Sequence, residues 1–244
     1  MSVSIIIPTL NEADALPDTL AALEALSPPP CDIVVADAGS TDSTPDLVQK
    51  SVAELLPNLP KGRAKQMNAG AAATKGDILC FLHADTIVPP DFTQIAERVL
   101  EERGTALAGF ISVMRGPTGV RRVTTAHNFI KTWYAPLLFR PISFFRGCRL
   151  LFGDQVMICR REDFEAIGGW DPEQAIMEEA DLCLRVVREG RGRVRQVPRK
   201  VWSSDRRVAE WGFWRANLTY LYVGLMWGFG VKSQRLAEHY EDVR

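Results

Sequence analysis

Three acidic side chains lie close together in the sequence, at Glu178, Glu179 and Asp181. Helical periodicity over 178–189 places all three in the first turn of a predicted helix. A helix N-terminus favours acidic residues electrostatically, which by itself explains one of them. A carboxylate kept ionised there can also accept a proton from a hydroxyl nucleophile within hydrogen-bond reach. This turn is therefore our candidate for a general base.

The sequence His83-Ala84-Asp85 is a candidate metal and phosphate site, because it follows the short apolar strand predicted for 77–82. Open α/β sheets bind ligands at the carboxyl ends of their strands. Asp85 offers the hard carboxylate oxygen that Mg²⁺ or Mn²⁺ prefers, with phosphate oxygens and water completing the coordination. His83 has three alternatives, namely a metal ligand, a phosphate donor or a histidine satisfied by the backbone. We expect a divalent metal at Asp85.

Polar residues also follow the first two predicted strands. Pro8 to Glu12 comes after the first strand, and Asn11 is predicted to cap the following helix. Asp37 comes after the second strand, where it either caps the next turn or accepts a hydrogen bond from a base or ribose. Two such strand ends together indicate a ligand-binding edge of the sheet.

A helix with many small residues is predicted at the start of the segment 62–86. Its first two turns carry Arg63, Lys65 and Gln66, which are either a solvated face or contacts for phosphate at a helix N-terminus. The small residues at 69–73 would let this helix pack closely against a neighbour, which we expect to be the sheet.

Alternating strands and helices position these groups over the first 115 residues. Strands are predicted at 3–7, 31–36, 77–82 and 107–114, with an amphipathic helix at 91–103. This alternation indicates an α/β fold with a doubly wound, mostly parallel sheet in a single domain. Residues 55–61 are either a short strand or a loop. The second half is predicted to contain a strand at 153–159, a helix at 161–167, and two short strands near Val194 and Val201.

The composition limits the partners and the compartment. The 244 residues carry a net charge of -1, so we expect no nucleic-acid partner. The five cysteines are odd in number and widely spaced, which is typical of reduced core residues. No signal peptide is recognisable before Asn11, and we therefore expect a cytoplasmic location.

Aromatic residues are concentrated at 127–145 and 211–229. Arg215 and Asn217 interrupt the second stretch, which leaves fewer than the roughly 20 apolar residues of a spanning helix. We expect 208–231 either to pack on the domain or to rest on the inner face of a membrane as a peripheral, interfacial helix. The two stretches indicate a flat or apolar acceptor surface, or a dimer interface.

Five segments in order carry a resemblance to a known family. They are SIIIPTLNEA at 4–13, VVADAGSTDST at 34–44, GRAKQMNAGAAATKGDILCFLHADT at 62–86, FGDQ at 152–155 and IGGWDPEQAIMEEADLCLR at 167–185. The chain resembles family 2 glycosyltransferases of the GT-A fold, and is most similar to small bacterial members. An ordered set of segments is far more specific than one short motif.

The resemblance implies one GT-A domain with three parts. These are a nucleotide-sugar-binding half at 1–115, an acceptor and catalytic half at 116–205, and an aromatic helical extension at 206–244. The implied reaction is inverting, metal-assisted transfer of a sugar from a UDP- or GDP-linked donor to an unidentified acceptor hydroxyl.

The resemblance also implies roles for individual residues. Asp85 matches the last aspartate of the family's Asp-X-Asp metal motif, whose first aspartate is replaced by His83. Glu179 matches the catalytic base in place of the usual aspartate, and Glu178 or Asp181 are the alternatives if it does not reach the acceptor. The implied nucleotide-binding residues are Pro8, Thr9, Asn11, Glu12, Asp37, Gly39, Arg63 and Gln66, and the implied acceptor-side residues are Asp154, Gln155 and Trp170.

Two other functions compete with this interpretation. A nucleotidyltransferase that makes an activated sugar would also place a metal-binding aspartate on an α/β sheet. A nucleotide-sugar-binding protein without catalytic activity would accommodate the departures at His83 and Glu179.

Overall fold

A computed structural model describes residues 1–116 and 119–238 of the chain. Residues 117–118 and 239–244, which belong to the predicted acceptor half and C-terminal extension, lie outside the described residues. The strands are β1 Val3–Thr9, β2 Asp32–Asp37, β3 Glu54–Leu56, β4 Ile78–Phe81, β5 Thr86–Ile87, β6 Thr105–Gly116, β7 Gly119–Val120, β8 Met157–Arg160 and β9 Arg193–Ser204. The helices are α1 Leu16–Glu24, α2 Thr44–Gln49, α3 Arg63–Ala73, α4 Phe92–Glu101, α5 Arg122–Phe139, α6 Pro141–Phe145, α7 Arg161–Ala166, α8 Glu178–Arg188, α9 Arg206–Trp211, α10 Phe213–Gly228 and α11 Ser233–Ala237, with a 3-10 turn at Gly153–Gln155.

The strands form one sheet in the order β3-β2-β1-β4-β8-β6-β9-β5, and β7 pairs with β6. The first four of these strands are parallel, as the alternating sequence pattern predicts. Strand β8 then joins antiparallel to both β4 and β6, and so connects the two halves of the chain. The predicted α/β class with a mostly parallel first half of the sheet is confirmed.

Side chains of β1 alternate between two apolar cores, one on each face of the sheet. Ile5 and Ile7 pack with α1 and α4, whereas Ile6 packs with α3 and α8. A β-carbon on Gly70 would overlap the Ile6 side chain, so the small residues of α3 do allow close packing on the sheet. The carboxyl ends of β1 and β4 and the start of α3 are therefore held at one edge.

Two details of the first loop differ from the prediction. Strand β1 continues through Pro8 to Thr9. Proline has no backbone N–H, but pairing with β4 stops at Ile6, so no strand on that side requires a hydrogen bond from Pro8. Asn11 does not cap α1. Its φ of 55° turns the chain, and its side-chain oxygen accepts a hydrogen bond from the N–H of Thr41 instead.

The strands of the second half also differ. The two strands predicted near Val194 and Val201 are one strand, β9, because Pro198 lies where the register with β6 shifts and no ladder hydrogen bond is required of it. The strand predicted for 153–159 begins only at Met157, since 153–155 form a 3-10 turn and Val156 has a φ of 50°. The ambiguous segment at 55–61 contributes to the short strand β3.

The C-terminal stretch 208–231 forms α9 and α10, which contact each other and, through α10, helix α5. Within the described part of the chain, no helix combines the length and apolar character needed to cross a membrane. All five cysteines are free, and four of them are buried as predicted, whereas Cys31 is exposed.

Candidate functional site

A cavity lies at the carboxyl ends of β1 and β4, between this edge of the sheet and helices α5 and α10. It brings together ten of the residues singled out in the sequence. They are Pro8, Thr9, Glu12, Arg63, Gln66, His83, Asp85, Asp154, Glu178 and Glu179. The predicted donor-side, metal-side and catalytic groups thus share one space.

Glu178 and Glu179 begin α8 and are both buried. They follow Met177, which has a left-handed φ of 65° that turns the chain into the helix. Oε1 of Glu178 lies 4.0 Å from Nη1 of Arg63. Burial raises the pKa of Glu178, and Arg63 opposes this increase. Burial and the nearby Glu178 carboxylate raise the pKa of Glu179 to about 8, so this side chain is a stronger base than an ordinary glutamate.

His83 faces this acidic pair. Its Nε2 lies 3.9 Å from Oε1 of Glu179. Burial and the positive charge of Arg63 lower the pKa of His83 to about 3, so its imidazole is neutral at neutral pH. A β-carbon on Gly153 would overlap both side chains. The absence of a side chain at Gly153 therefore allows His83 and Glu179 to approach each other.

Asp85 is held by an arginine from the far end of the chain. Nη2 of Arg206 donates a hydrogen bond to Oδ2 of Asp85 at 3.0 Å. The same guanidinium donates to both carboxylate oxygens of Glu12, at 2.8 and 3.3 Å. These ion pairs and hydrogen bonds raise the pKa of Arg206, while burial opposes them. The sequence analysis did not identify Arg206, because 194 residues separate it from Glu12.

The side chains at this edge fit a divalent ion whose coordination is completed by a bound ligand. Within 1–116 and 119–238, no group of three His, Cys, Asp or Glu residues is arranged to hold a metal. Asp85 still places a carboxylate on the cavity wall, and Mg²⁺ is commonly bound by one or two carboxylates together with substrate phosphates. The neutral imidazole of His83 is a further potential ligand. We therefore expect no metal site made by protein atoms alone.

A threonine hydroxyl at the same edge has no partner. Oγ1 of Thr9 is buried and makes no hydrogen bond to any of the residues that the structure describes. Gln66 lies beside it, and its side-chain N–H groups donate to the carbonyl oxygens of Thr9 and Ala36, both at 2.7 Å. Gln66 therefore ties together the ends of β1 and β2, and leaves the Thr9 hydroxyl available to a ligand.

Helix α5 supplies polar groups that the sequence analysis missed. Asn128 donates a hydrogen bond of 2.6 Å to Oδ2 of Asp154. Nζ of Lys131 lies 3.8 Å from the ring centroid of Phe152, and burial lowers the pKa of Lys131 while Asp154 and Glu179 oppose that change. Both α5 residues line the cavity, three positions apart. This helical spacing of polar residues within an aromatic segment is the signal that could have revealed them.

The opposite wall of the cavity is mostly apolar. It is formed largely by side chains of α5 and α10, with Phe152 beside them. The members of this wall are Tyr134, Ala135, Phe139, Phe152, Tyr220, Leu221, Val223, Leu225 and Trp227. The cavity therefore has a charged side at the sheet edge and an apolar side beneath the two helices. Glu179 lies 3.9 Å from His83 on the charged side, and it acts electrostatically on Lys131, whose Nζ lies over the Phe152 ring.

Three residues expected to contact nucleotide do not line the cavity. Asp37 is buried and accepts hydrogen bonds from the N–H of Ser40 with both carboxylate oxygens, at 3.0 Å. Gly39 has a φ of 81°, which this turn requires and which glycine adopts without strain. Asn11 binds the same loop through Thr41. In this structure all three shape the turn after β2, and their contacts with a nucleotide stay predictions.

Two residues expected on the acceptor side, Trp170 and Gln155, do not line the cavity. Trp170 is fully buried and packs edge-on against Phe81, with 4.9 Å between ring centroids. Its backbone exchanges two hydrogen bonds with the side chain of Asn68, of 2.8 and 2.9 Å. Gln155 is buried and hydrogen bonds to Thr132 and to the N–H of Phe152. Both residues are buried behind the cavity wall, and an acceptor-side role for them stays a prediction.

Asp181 is a poor alternative to Glu179 as a base. Its carboxylate accepts a 2.7 Å hydrogen bond from Nε of Arg185, one helical turn further along α8. It does not line the cavity, because the helix turns its side chain away from Glu179. Of the three acidic residues in this turn, only Glu178 and Glu179 face the cavity.

The chain is similar in sequence to known glycosyltransferases. The chain is 27% identical over 232 residues to a probable glycosyltransferase, YdaM, of Bacillus subtilis (strain 168), which covers 87% of this chain and 52% of that protein. It is 33% identical over 132 residues to an undecaprenyl-phosphate 4-deoxy-4-formamido-L-arabinose transferase of Pseudomonas fluorescens (strain Pf0-1), covering 49% of this chain and 38% of that protein. The chain thus spans about half or less of these relatives' length.

Solved structures share the fold at low sequence identity. The mannosyltransferase PcManGT from Pyrobaculum calidifontis, in complex with GDP-Man and Mn²⁺, superposes with a TM-score of 0.68 at 19% identity, covering 99% of this chain and 65% of that one. Glucosyl-3-phosphoglycerate synthase from Mycobacterium tuberculosis, in complex with Mn²⁺, UDP and glucosyl-3-phosphoglycerate, gives 0.63 at 21% identity, covering 94% and 80%. Residues 4–168 match the family model described as glycosyl transferase family 2. The chain therefore belongs to glycosyl transferase family 2.

Proposed function

We propose that this chain transfers a sugar, with inversion, from a nucleoside-diphosphate sugar to an acceptor hydroxyl, and that Glu179 is the general base. One observation carries the proposal. Glu179 lies 3.9 Å from His83 at the charged, strand-end side of the cavity, and it is close enough to Lys131, beside Phe152 of the apolar side, to oppose the lowering of that lysine's pKa. A base at this junction has room for a donor on one side and an acceptor on the other.

The donor binds at the carboxyl ends of β1 and β4 in this proposal. Arg63, at the N-terminus of α3, and Arg206 supply positive charge for a diphosphate, and the unpaired hydroxyl of Thr9 supplies a polar contact. A divalent ion, when bound at Asp85, stabilises the negative charge of the departing diphosphate. UDP and GDP are the candidate nucleotides, because the complexes with the two structural neighbours contain UDP or GDP-Man.

The transfer is a single displacement. The acceptor oxygen forms a bond to the anomeric carbon while the bond from that carbon to the diphosphate oxygen breaks, and the hydroxyl proton passes to the carboxylate of Glu179. Attack opposite the leaving group inverts the configuration. The raised pKa of Glu179 supports this role, since a base is most effective when its pKa lies near the working pH.

The same proposal divides the chain by function. Residues 1–115 bind the donor, 116–205 supply the base and part of the acceptor wall, and the helices of the 206–244 segment cover the apolar side. The placement of α5 and α10 on that side supports an acceptor with an apolar part.

A thermal-shift screen and a product assay test the activity together. UDP, GDP and their sugar derivatives are screened with and without Mn²⁺, because a ligand of the folded protein must raise the melting temperature. A stabilising sugar nucleotide is then assayed for nucleoside diphosphate release with candidate hydroxyl acceptors. Release of pyrophosphate from a nucleoside triphosphate would favour a nucleotidyltransferase instead, and stabilisation without turnover on any acceptor would favour a binding protein.

We also propose that the enzyme works in the cytoplasm against the inner face of a membrane. Helices α5, α6 and α10 expose large apolar side chains, including Trp214 at 75% and Ile142 at 71% exposure. The others exposed on these helices are Val123, Phe129, Ile130, Trp133, Leu137, Leu138, Phe145, Phe213, Leu218, Leu221 and Tyr222. Together with neighbouring arginines such as Arg140 and Arg146, they resemble an interfacial surface.

Co-sedimentation with anionic phospholipid vesicles tests this contact. The wild type should sediment with the vesicles, and a Trp214→Ser, Ile142→Ser variant should remain in the supernatant with an unchanged melting temperature. Equal sedimentation of the two proteins would argue against the membrane contact.

A further inference from the structure

Arg206 connects two carboxylates that belong to different loops of the donor side. It is the first residue of α9, directly after β9 and Asp205. Its guanidinium makes a bidentate pair with Glu12 and a single 3.0 Å hydrogen bond from Nη2 to Asp85. Only 13% of the Glu12 side chain and 15% of the Asp85 side chain are exposed, so solvent screens these charges incompletely.

The contact with Asp85 conflicts with binding of a divalent ion at the same oxygen. Oδ2 of Asp85 accepts the Arg206 hydrogen bond, and Oδ1 lies 3.4 Å from the hydroxyl of Thr86. A magnesium ion bound to Oδ2 at roughly 2.0–2.1 Å would lie beside the guanidinium, and two cations would then compete for one oxygen. The bond from Nη2 to Asp85 must open before an ion binds there.

The two contacts of Arg206 differ in strength. Glu12 holds the guanidinium through two parallel hydrogen bonds, an arrangement that is stronger and more directional than a single one. Asp85 holds it through Nη2 alone. The Asp85 contact is therefore the one that opens first, while the Glu12 pair keeps the arginine at the cavity.

We propose that Arg206 is an exchangeable counter-ion of Asp85, which holds this carboxylate until a nucleoside diphosphate and a divalent ion bind together. This inference rests on the proposed donor site. On binding, Nη2 exchanges Asp85 for an oxygen of the diphosphate, and Asp85 becomes available to the ion. The diphosphate supplies the negative charge that lets both cations remain in the cavity.

The proposal predicts that the ion and the nucleotide bind cooperatively. The ion alone has to displace Arg206 without compensation, so it binds weakly. The nucleotide offers Arg206 a new partner and thereby removes that cost. Coupling between two ligands of one protein typically changes each affinity by about 5- to 150-fold.

Binding of Mn²⁺ alone, followed by electron paramagnetic resonance, tests the exchange without any turnover. Arg206→Gln should bind Mn²⁺ at least about fivefold more tightly than the wild type, and UDP or GDP should then no longer increase the affinity for Mn²⁺. Arg206→Lys retains a cation and should restore weak binding of Mn²⁺ alone. Arg207→Gln removes the same charge from the next residue, which also lines the cavity, and serves as the matched control.

The outcomes separate this inference from the proposed function. If neither UDP nor GDP, with Mn²⁺ present, raises the melting temperature of the wild type, the donor site itself is wrong. If a nucleotide binds but Arg206→Gln and Arg207→Gln change the Mn²⁺ affinity equally, the exchange at Asp85 is overturned. Asp85→Asn in the Arg206→Gln protein must abolish the tighter Mn²⁺ binding, and persistence of that binding would also overturn it.

Discussion

Nε2 of His83 lies 3.9 Å from Oε1 of Glu179, and the chain passes beside both side chains at Gly153. Because the pKa of His83 is lowered to about 3 by burial and by Arg63, the imidazole carries no charge at neutral pH. The pair therefore combines a neutral ring with a buried carboxyl group. A neutral ring does not stabilise the ionised carboxylate as a charged one would, which is consistent with the raised pKa of Glu179.

Glu179→Gln should reduce sugar transfer by about a hundredfold to ten-thousandfold, the usual contribution of a general base. The variant should retain the melting-temperature increase caused by the nucleotide, because the donor binds through other residues. Steady-state transfer rates and thermal shifts measured on the same preparation check both effects. Near-normal transfer would exclude Glu179 as the base.

Glu179 should also make stability depend on pH. Its pKa rises from 4.5 to about 8 on folding, so the folded protein binds this proton more tightly than the unfolded chain does. The favourable contribution is complete below about pH 4.5 and is lost as the pH rises through 8. We therefore compare the unfolding free energy of the wild type with that of Glu179→Gln. The difference between the two should fall by more than about 1.4 kcal/mol from pH 5 to pH 9, an amount that corresponds to one pKa unit.

Urea unfolding of both proteins at the two pH values measures this difference. The comparison largely cancels the titration of other groups. Parallel pH dependence of the two unfolding free energies would show that Glu179 titrates as an ordinary exposed glutamate.

Gly153→Ala should destabilise the protein by about 1–3 kcal/mol, because the added β-carbon overlaps His83 and Glu179. It should also reduce transfer, since one or both side chains must move. Gly224→Ala is the matched control. Gly224 lines the same cavity from within α10, an added β-carbon there meets nothing within 4 Å, and alanine favours a helix.

Chemical unfolding and transfer assays of these two glycine variants give the test. The control should be as stable as the wild type or more stable. Unchanged stability and transfer in Gly153→Ala would mean that the close approach of His83 and Glu179 is not required.

Trp170→Phe should lower the unfolding free energy by about 1–3 kcal/mol, since it leaves a gap beside Phe81 in the core. Affinity for the acceptor should not change. Trp214→Phe, at an exposed position, should change stability by less than about 0.5 kcal/mol. A stable Trp170→Phe protein with weakened acceptor binding would restore the acceptor role that the buried position argues against.

The sequence predicts which residues meet at this edge of the sheet, because a parallel sheet brings the ends of its strands together. Pro8 and Asp85 reach the cavity for this reason, and Arg63 reaches it because α3 begins at the same edge. Arg206 could not be found in this way, since only the folded chain brings α9 next to Glu12. The sequence pattern also does not distinguish a tryptophan in the core from a tryptophan in a binding site. Trp170 lies close in sequence to Glu178, yet its ring is in the core.

Loop residues were the least predictable for a physical reason. An aspartate after a strand can bind a ligand or close its own turn, and the choice depends on which N–H groups the folded loop presents. At Asp37 the N–H of Ser40 donates to both carboxylate oxygens. The cavity-lining polar residues of α5, which include Asn128 and Lys131, are hard to recognise in the sequence because aromatic residues surround them.

The paired hydrogen bonds between the side chain of Asn68 and the backbone of Trp170 connect α3 to the segment that precedes α8. Helix α3 begins with Arg63, and α8 begins with the two buried glutamates soon after Trp170. These bonds help to set the spacing between Arg63 and the two glutamates, which is 4.0 Å at Glu178. In the proposed reaction, the cation beside the leaving group and the base are therefore held in register by the fold before any substrate binds.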